Sequence, residues 1–119
     1  MKVFFDTSVL VAALVKLHPM HSQAINWLKR AKSHDLDMIV SSHTLAELYA
    51  VLTTLPVSPK VTPEIAWRLI SENIEGIATI ISLSSSEYIT TIKHLRDSGF
   101  SGGIIYDALA FKAAIKSNA

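Results

Sequence analysis

Cysteine is absent from this sequence of 119 residues. Its absence excludes a disulfide framework, a thiolate zinc site and a cysteine nucleophile.

No apolar run approaches the ~18 residues that a membrane span requires. The run Val9–Val15 is short, and Asp6 interrupts the apolar start, while Lys16 and His18 replace the small residues of a signal-peptide cleavage site. We therefore expect no membrane segment or signal peptide and a cytoplasmic location.

Excess charge of either sign is also missing. Lys and Arg total 11 against 10 for Asp and Glu, giving a net charge of +1. This balance neither demands nor excludes nucleic acid, since a polyanion binder with this charge needs its basic residues on one face. The densest basic group is Lys29, Arg30 and Lys32 on one predicted helix, which we interpret as a solvated face.

What is abundant is apolar character, at 50% of residues, enough for the core of one domain spanning residues 1–119. Three apolar segments predict strands, and a pair of helical segments follows each strand. The predicted strands are Val3–Phe5, Met38–Val40 and Ile77–Leu83; the predicted helices are 8–17, 21–32, 44–55, 62–75, 84–98 and 104–117. This order is typical of a three-layer α/β fold with a parallel sheet flanked by helices.

Three acidic residues fall where the carboxyl edge of such a sheet is expected. Asp6 ends the first strand, Glu47 is placed in the first turn of the third helix, and Asp107 begins the last helix. Ligands bind at this edge in open α/β sheets. Thr7 or Ser8 is expected to cap the first helix.

Converging carboxylates, joined here by no His or Cys, indicate a hard cation such as Mg²⁺ or Mn²⁺. Two carboxylates ~5 Å apart repel by roughly 3 kcal/mol at an effective dielectric constant of ~20, so a cation would stabilise them. Each acid also has an ordinary interpretation. Asp is common in turns, and acids in general favour the first turn of a helix.

These residues lie in three motifs that resemble a PIN domain, specifically the VapC-type toxin of a VapBC toxin–antitoxin pair. The motifs are Val3-Phe4-Phe5-Asp6-Thr7-Ser8, Ser42-His43-Thr44-Leu45-Ala46-Glu47-Leu48-Tyr49 and Gly102-Gly103-Ile104-Ile105-Tyr106-Asp107-Ala108-Leu109-Ala110. Their order and approximate spacing match across the whole chain.

The resemblance implies a magnesium-dependent endoribonuclease that hydrolyses a phosphodiester of RNA. It implies that Asp6, Glu47 and Asp107 bind the metal and activate the attacking water, and that Ser8 supports the site by hydrogen bonding. It also implies a homodimer and an antitoxin partner whose C-terminal segment covers the active site.

One departure concerns the end of the sequence, because family members usually continue into another strand beside the first one. Here the last residues are Lys116-Ser117-Asn118-Ala119. The first strand would then lie at an edge, where it can pair with another chain. We therefore expect either a C-terminal truncation or a partner covering this edge.

Other features receive ordinary interpretations. Trp27 and Trp67 are assigned to the core or to a dimer surface, and the five histidines to surface or partly buried positions.

Two alternative functions stay open: a non-catalytic PIN-like module that binds RNA or protein, and another Asp-dependent phosphotransfer enzyme. The latter would want a second acid where Ser8 stands.

Overall fold

The computed structural model describes all residues from 1 to 119 and has a parallel three-stranded sheet flanked by six helices. The strands are β1 (Lys2–Phe4), β2 (Asp37–Ser41) and β3 (Thr79–Ile81). The helices are α1 (Thr7–Leu14), α2 (His21–Lys32), α3 (Ser42–Thr54), α4 (Pro63–Asn73), α5 (Ser85–Ser98) and α6 (Ile104–Lys116). The predicted α/β architecture is confirmed.

The strand order is β1-β2-β3, so β2 is central and β1 lies at an edge. Val3 pairs with Met38, and Val40 pairs with Ile80. Because all three strands are parallel, their carboxyl ends meet at one edge of the sheet. The residues that follow β1, β2 and β3 are therefore brought together although they are distant in sequence.

The core lies beneath the first four helices. Sixteen buried apolar residues form one cluster, in which α2 contributes Ala24, Leu28 and Ala31, and α3 contributes Leu48 and Leu52. Their spacing of three or four residues places them on one helix face. No residue of α5 or α6 belongs to this cluster or to the partly buried residues packed against it.

Several predicted boundaries were wrong by a few residues. The first helix ends at Leu14 because Val15 has extended backbone angles, and Leu17 is exposed. The third strand is shorter than predicted, because the backbone N–H groups of Ile77 and Ala78 both bond to the carbonyl of Ile74 in a turn after α4. Apolar β-branched character alone does not separate such a turn from a strand.

Two further points concern the surface. Trp27 and Trp67 are 42% and 51% exposed, so of the two predicted locations the core is excluded, and the dimer surface stays a prediction. No helix combines the length and the apolar character that a membrane span needs.

Candidate active site

A cavity of about 690 Å³ opens where the strands end at the carboxyl edge of the sheet. All four residues singled out from the sequence line it: Asp6, Ser8, Glu47 and Asp107. The other lining residues are Thr7, Val11, His18, Ser41, Ser42, His43, Thr44, Val51, Ile81, Ser82, Leu83, Tyr88, Tyr106, Leu109 and Ala110. Three separate carboxylates therefore face one space from three different segments of the chain.

Asp6 follows β1 and is itself the cap of α1. Its Oδ1 accepts the backbone N–H of Val9 at 3.0 Å and the hydroxyl of Ser8 at 2.9 Å. The expected cap at Thr7 or Ser8 was wrong, because the aspartate directly after the strand already supplies the oxygen that the first helical N–H groups need. The hydroxyl of Ser8 instead donates to the Asp6 carboxylate, and its support of a metal site stays a prediction.

Glu47 reaches the cavity from α3. That helix begins directly after β2, at Ser42, with Ser41 as its cap accepting the N–H of Thr44 at 3.1 Å. Since the helix starts two residues earlier than predicted, Glu47 lies in its second turn, and the expectation of a first-turn position was wrong. Side chains near the start of α3 still face the cavity because the helix leaves the sheet at its carboxyl edge.

Asp107 lies in the first turn of α6, as predicted. The loop before this helix includes Gly102, whose φ of +79° is a left-handed conformation that favours glycine. Asp107 is exposed to solvent within the cavity. It is the third carboxylate of the site and the only one that does not directly follow a strand of the sheet or belong to the helix after it.

The donor chemistry suits a hard cation, since carboxylate and hydroxyl oxygens are the ligands that Mg²⁺ and Mn²⁺ prefer. The distances between these side chains, however, are not those of a formed metal site. No three His, Cys, Asp or Glu side chains lie close enough together to hold a metal ion. A cation at this site would have to draw the carboxylates of Asp6, Glu47 and Asp107 together, and the metal site stays a prediction.

Comparison with known proteins places this geometry in a family. The sequence model of the PIN domain matches residues 3–119. The chain belongs to the PIN-domain family. It is 32% identical over 114 residues to Ribonuclease VapC27 of Mycobacterium tuberculosis, an alignment covering 96% of this chain and 77% of that protein. It is 30% identical to Ribonuclease VapC40 of the same species, with 87% of this chain and 72% of that protein covered.

The fold of this PIN domain is also similar to a solved structure. The crystal structure of VapC20 of Mycobacterium tuberculosis, a toxin that cleaves the sarcin–ricin loop, superposes with a TM-score of 0.71. The superposition covers 99% of this chain and 84% of that one at 18% sequence identity. At that identity the likeness concerns the fold, and it agrees with the layered sheet described above.

Two aromatic side chains of this PIN domain were missed by the sequence reasoning, which expected no histidine among the carboxylates. The rings of His43 and Tyr106 stack in the cavity, with centroids 5.4 Å apart and planes inclined by 9°. His43 Nε2 is buried, lies 3.6 Å from Glu47 Oε2 and has no hydrogen-bond partner. A histidine four residues before a candidate ligand on one helix face was the signal that could have identified the contact between His43 and Glu47.

A polar contact beside the cavity joins three elements of the PIN domain. Lys116 Nζ donates to Glu87 Oε1 at 2.8 Å and to the carbonyl oxygen of Ser82 at 2.9 Å. The Lys116 hydrogen bond and then the backbone N–H of Ser84 lower the pKa of Glu87 from 4.5 to about 2. These contacts join the end of α6 to the end of β3 and to the start of α5.

Proposed function

We propose that this chain is a metal-dependent endoribonuclease that hydrolyses a phosphodiester of RNA, with Asp6, Glu47 and Asp107 as metal ligands and Ser8 as their support. The observation that carries the proposal is that all four residues face one cavity in a PIN-domain chain 32% identical to a VapC ribonuclease. Mg²⁺ is the proposed ion, and Mn²⁺ suits the same oxygen donors.

The residues have separate roles in this proposal. The three carboxylates supply the negative charge that attracts a divalent cation, and an exposed cavity admits a polymer. When bound, such an ion polarises the phosphoryl oxygen and lowers the pKa of a water. Ser8 keeps one Asp6 oxygen fixed, which leaves the other oxygen free to face the cavity.

The biological setting of the proposal follows the relatives. We infer a cytoplasmic toxin of a type II toxin–antitoxin module, working as a homodimer and held by a cognate antitoxin protein. Support for a protein partner comes from large apolar side chains that are exposed on α5 and α6. They are Ile89, Ile92, Ile104, Phe111 and Ile115. Helices α5 and α6 contact each other, and exposed apolar side chains on adjacent helices are typical of protein interaction sites.

Cleavage of a labelled RNA tests the activity directly. We expect cleavage with Mg²⁺ or Mn²⁺, loss of cleavage with EDTA, and recovery when excess Mg²⁺ is added. Asp6→Asn and Asp107→Asn should each lower the rate by about 100-fold or more, because metal catalysis contributes several kcal/mol to the transition state. Asp37→Asn is the matched control, since Asp37 is exposed at the amino end of β2.

Calorimetric titration with Mn²⁺ gives a second readout that does not depend on activity. Binding should occur in the wild type and should weaken strongly in Asp107→Asn. Full cleavage activity in Asp6→Asn would sink the mechanism.

A second candidate function is a non-catalytic PIN-like module that binds RNA or protein. The observation that favours it is the spacing of the carboxylates, which do not form a three-ligand cluster. RNA binding that is indifferent to Mg²⁺, without cleavage by the wild type, would support this alternative.

A further inference from the structure

The stacked pair of His43 and Tyr106 is the least ordinary feature of the cavity. The two residues come from different helices, and each lies in the first turn of its helix, where it points to the carboxyl edge of the sheet. Their centroid separation of 5.4 Å and inclination of 9° describe an offset parallel stack. Such a stack favours one relative position of the two rings.

The two rings of the pair differ in their surroundings. His43 Nε2 is buried and lies 3.6 Å from Oε2 of Glu47, and the Tyr106 ring packs against the imidazole. Tyr106, in contrast, is 53% exposed. An aromatic ring that is held in place by a neighbour but still exposes half of its surface offers a flat apolar face inside a polar cavity.

The position of this face relates it to the reacting centre. Tyr106 directly precedes Asp107 in the sequence, and His43 contacts Glu47, so the pair is attached to two of the three candidate metal ligands. A flat group stacked on Tyr106 would be held at a fixed distance from the carboxylates. In RNA the flat group is a nucleobase, and the group next to it along the chain is a phosphodiester.

We propose that Tyr106 is a nucleobase-binding residue and that His43 is the positioning residue that holds its ring. A base adjacent to the phosphodiester to be cut stacks on Tyr106, which places that phosphodiester among Asp6, Glu47 and Asp107. This inference rests on the proposed ribonuclease function and adds a base-binding residue to it. A base must leave its own stack in order to stack on Tyr106.

A binding experiment isolates the stacking contribution. Two fluorescein-labelled oligomers of equal length are compared in Mg²⁺ buffer: a dodecamer of adenylate and a dodecamer of abasic ribose phosphate. Both carry the same phosphate charge, so the ratio of their dissociation constants reports contact with bases only. All proteins carry Asp6→Asn to prevent cleavage, and circular dichroism confirms that each variant is folded.

The expected results follow from how much one stacked base contributes to the affinity. The Asp6→Asn protein should bind the adenylate oligomer about 5- to 100-fold more tightly than the abasic one. Adding Tyr106→Leu should bring the ratio of the two dissociation constants close to 1 while the affinity for the abasic oligomer stays the same. Tyr106→Phe should leave the ratio unchanged. His43→Leu should lower the ratio, and His43→Phe should keep it near that of the Asp6→Asn protein. Trp67→Leu is the matched control, since Trp67 is 51% exposed but lies outside the cavity.

Opposite results would overturn the inference without touching the proposed function. Equal ratios in the Tyr106→Leu and Tyr106→Phe proteins would show that no base uses the ring, as would equal affinity for the two oligomers or binding of neither. RNA cleavage by the protein without the Asp6 change is assayed separately. If that protein cleaves RNA while the Tyr106 variants bind alike, the ribonuclease proposal stands and the base-binding role of Tyr106 fails. If it does not cleave RNA but Tyr106→Leu abolishes the preference for the adenylate oligomer, Tyr106 binds a base and the ribonuclease proposal fails.

Discussion

The hydroxyl of Ser8 donates a hydrogen bond to the same oxygen of Asp6 that accepts the backbone N–H of Val9. Two donors on Oδ1, at 2.9 and 3.0 Å, hold the carboxylate plane in one orientation at the start of α1. The Asp6 side chain therefore serves the fold as a helix cap and faces the cavity as a candidate ligand. Substitutions at the two positions can separate these contributions.

Replacing Ser8 by Ala should damage the site more than the fold. The Asp6 carboxylate keeps its bond to Val9 but loses its second donor, so the cleavage rate or the Mn²⁺ affinity should fall by about 10- to 100-fold. The free energy of unfolding should change by only about 1 kcal/mol, the net worth of one hydrogen bond. Ser71→Ala is the control, since Ser71 donates to the Arg68 carbonyl on α4. Equal activity in both variants would contradict this role for Ser8.

Asp6→Ala and Asp6→Asn should differ in stability. Asparagine can accept the Val9 N–H as aspartate does, whereas alanine leaves that N–H without its partner. We expect Asp6→Ala to lower the free energy of unfolding by about 1 kcal/mol relative to Asp6→Asn, measured by urea denaturation. Both variants should lack cleavage activity. Indistinguishable urea midpoints would mean that the cap adds nothing to stability.

The Glu87–Lys116 contact predicts that the free energy of unfolding depends on pH in the acidic range. The pKa of Glu87 is lowered to about 2, so between pH ~2 and ~4.5 the unfolded chain binds more protons at this position than the folded one. The contribution of Glu87 is therefore complete above its ordinary pKa of 4.5 and is lost as the pH falls towards about 2. The curve of unfolding free energy against pH should be flatter in Glu87→Gln and in Lys116→Met. Glu72→Gln, an exposed position on α4 without an ion pair, should keep the slope of the wild type.

Local sequence signals predicted most of the fold. The bounds of α2, His21–Lys32, match the prediction, since the apolar spacing is regular and Pro19 precedes the helix. The start of α4 was equally clear, because Thr62 caps the helix and Pro63 occupies its first turn. The parallel sheet followed from apolar segments alternating with helices. These features depend on residues close together in sequence, which is why pattern reasoning finds them.

The site was predicted only in part. Asp6, Glu47 and Asp107 were singled out because they follow strands or begin helices near the same edge, and they line one cavity. The capping role of Asp6, however, was assigned to its neighbours. The contact between His43 and Tyr106 joins residues 63 positions apart by number, since one lies on α3 and the other on α6. No local pattern encodes such a contact. It follows from how α6 packs against the rest of the molecule.

The weak burial of α5 and α6 has a consequence for how long the site stays assembled. These helices bury only Thr91, Leu109 and Ala113, and they lie outside the main core cluster, yet α6 carries Asp107 and Tyr106. Amide hydrogen exchange should therefore be faster in α5 and α6 than in α2 and α3, because segments with few buried contacts open at lower free energy. We expect such an opening to move Asp107 away from Asp6 while the four helices over the core stay folded. A partner protein bound along α5 and α6 would then slow exchange there and set the fraction of molecules competent for catalysis.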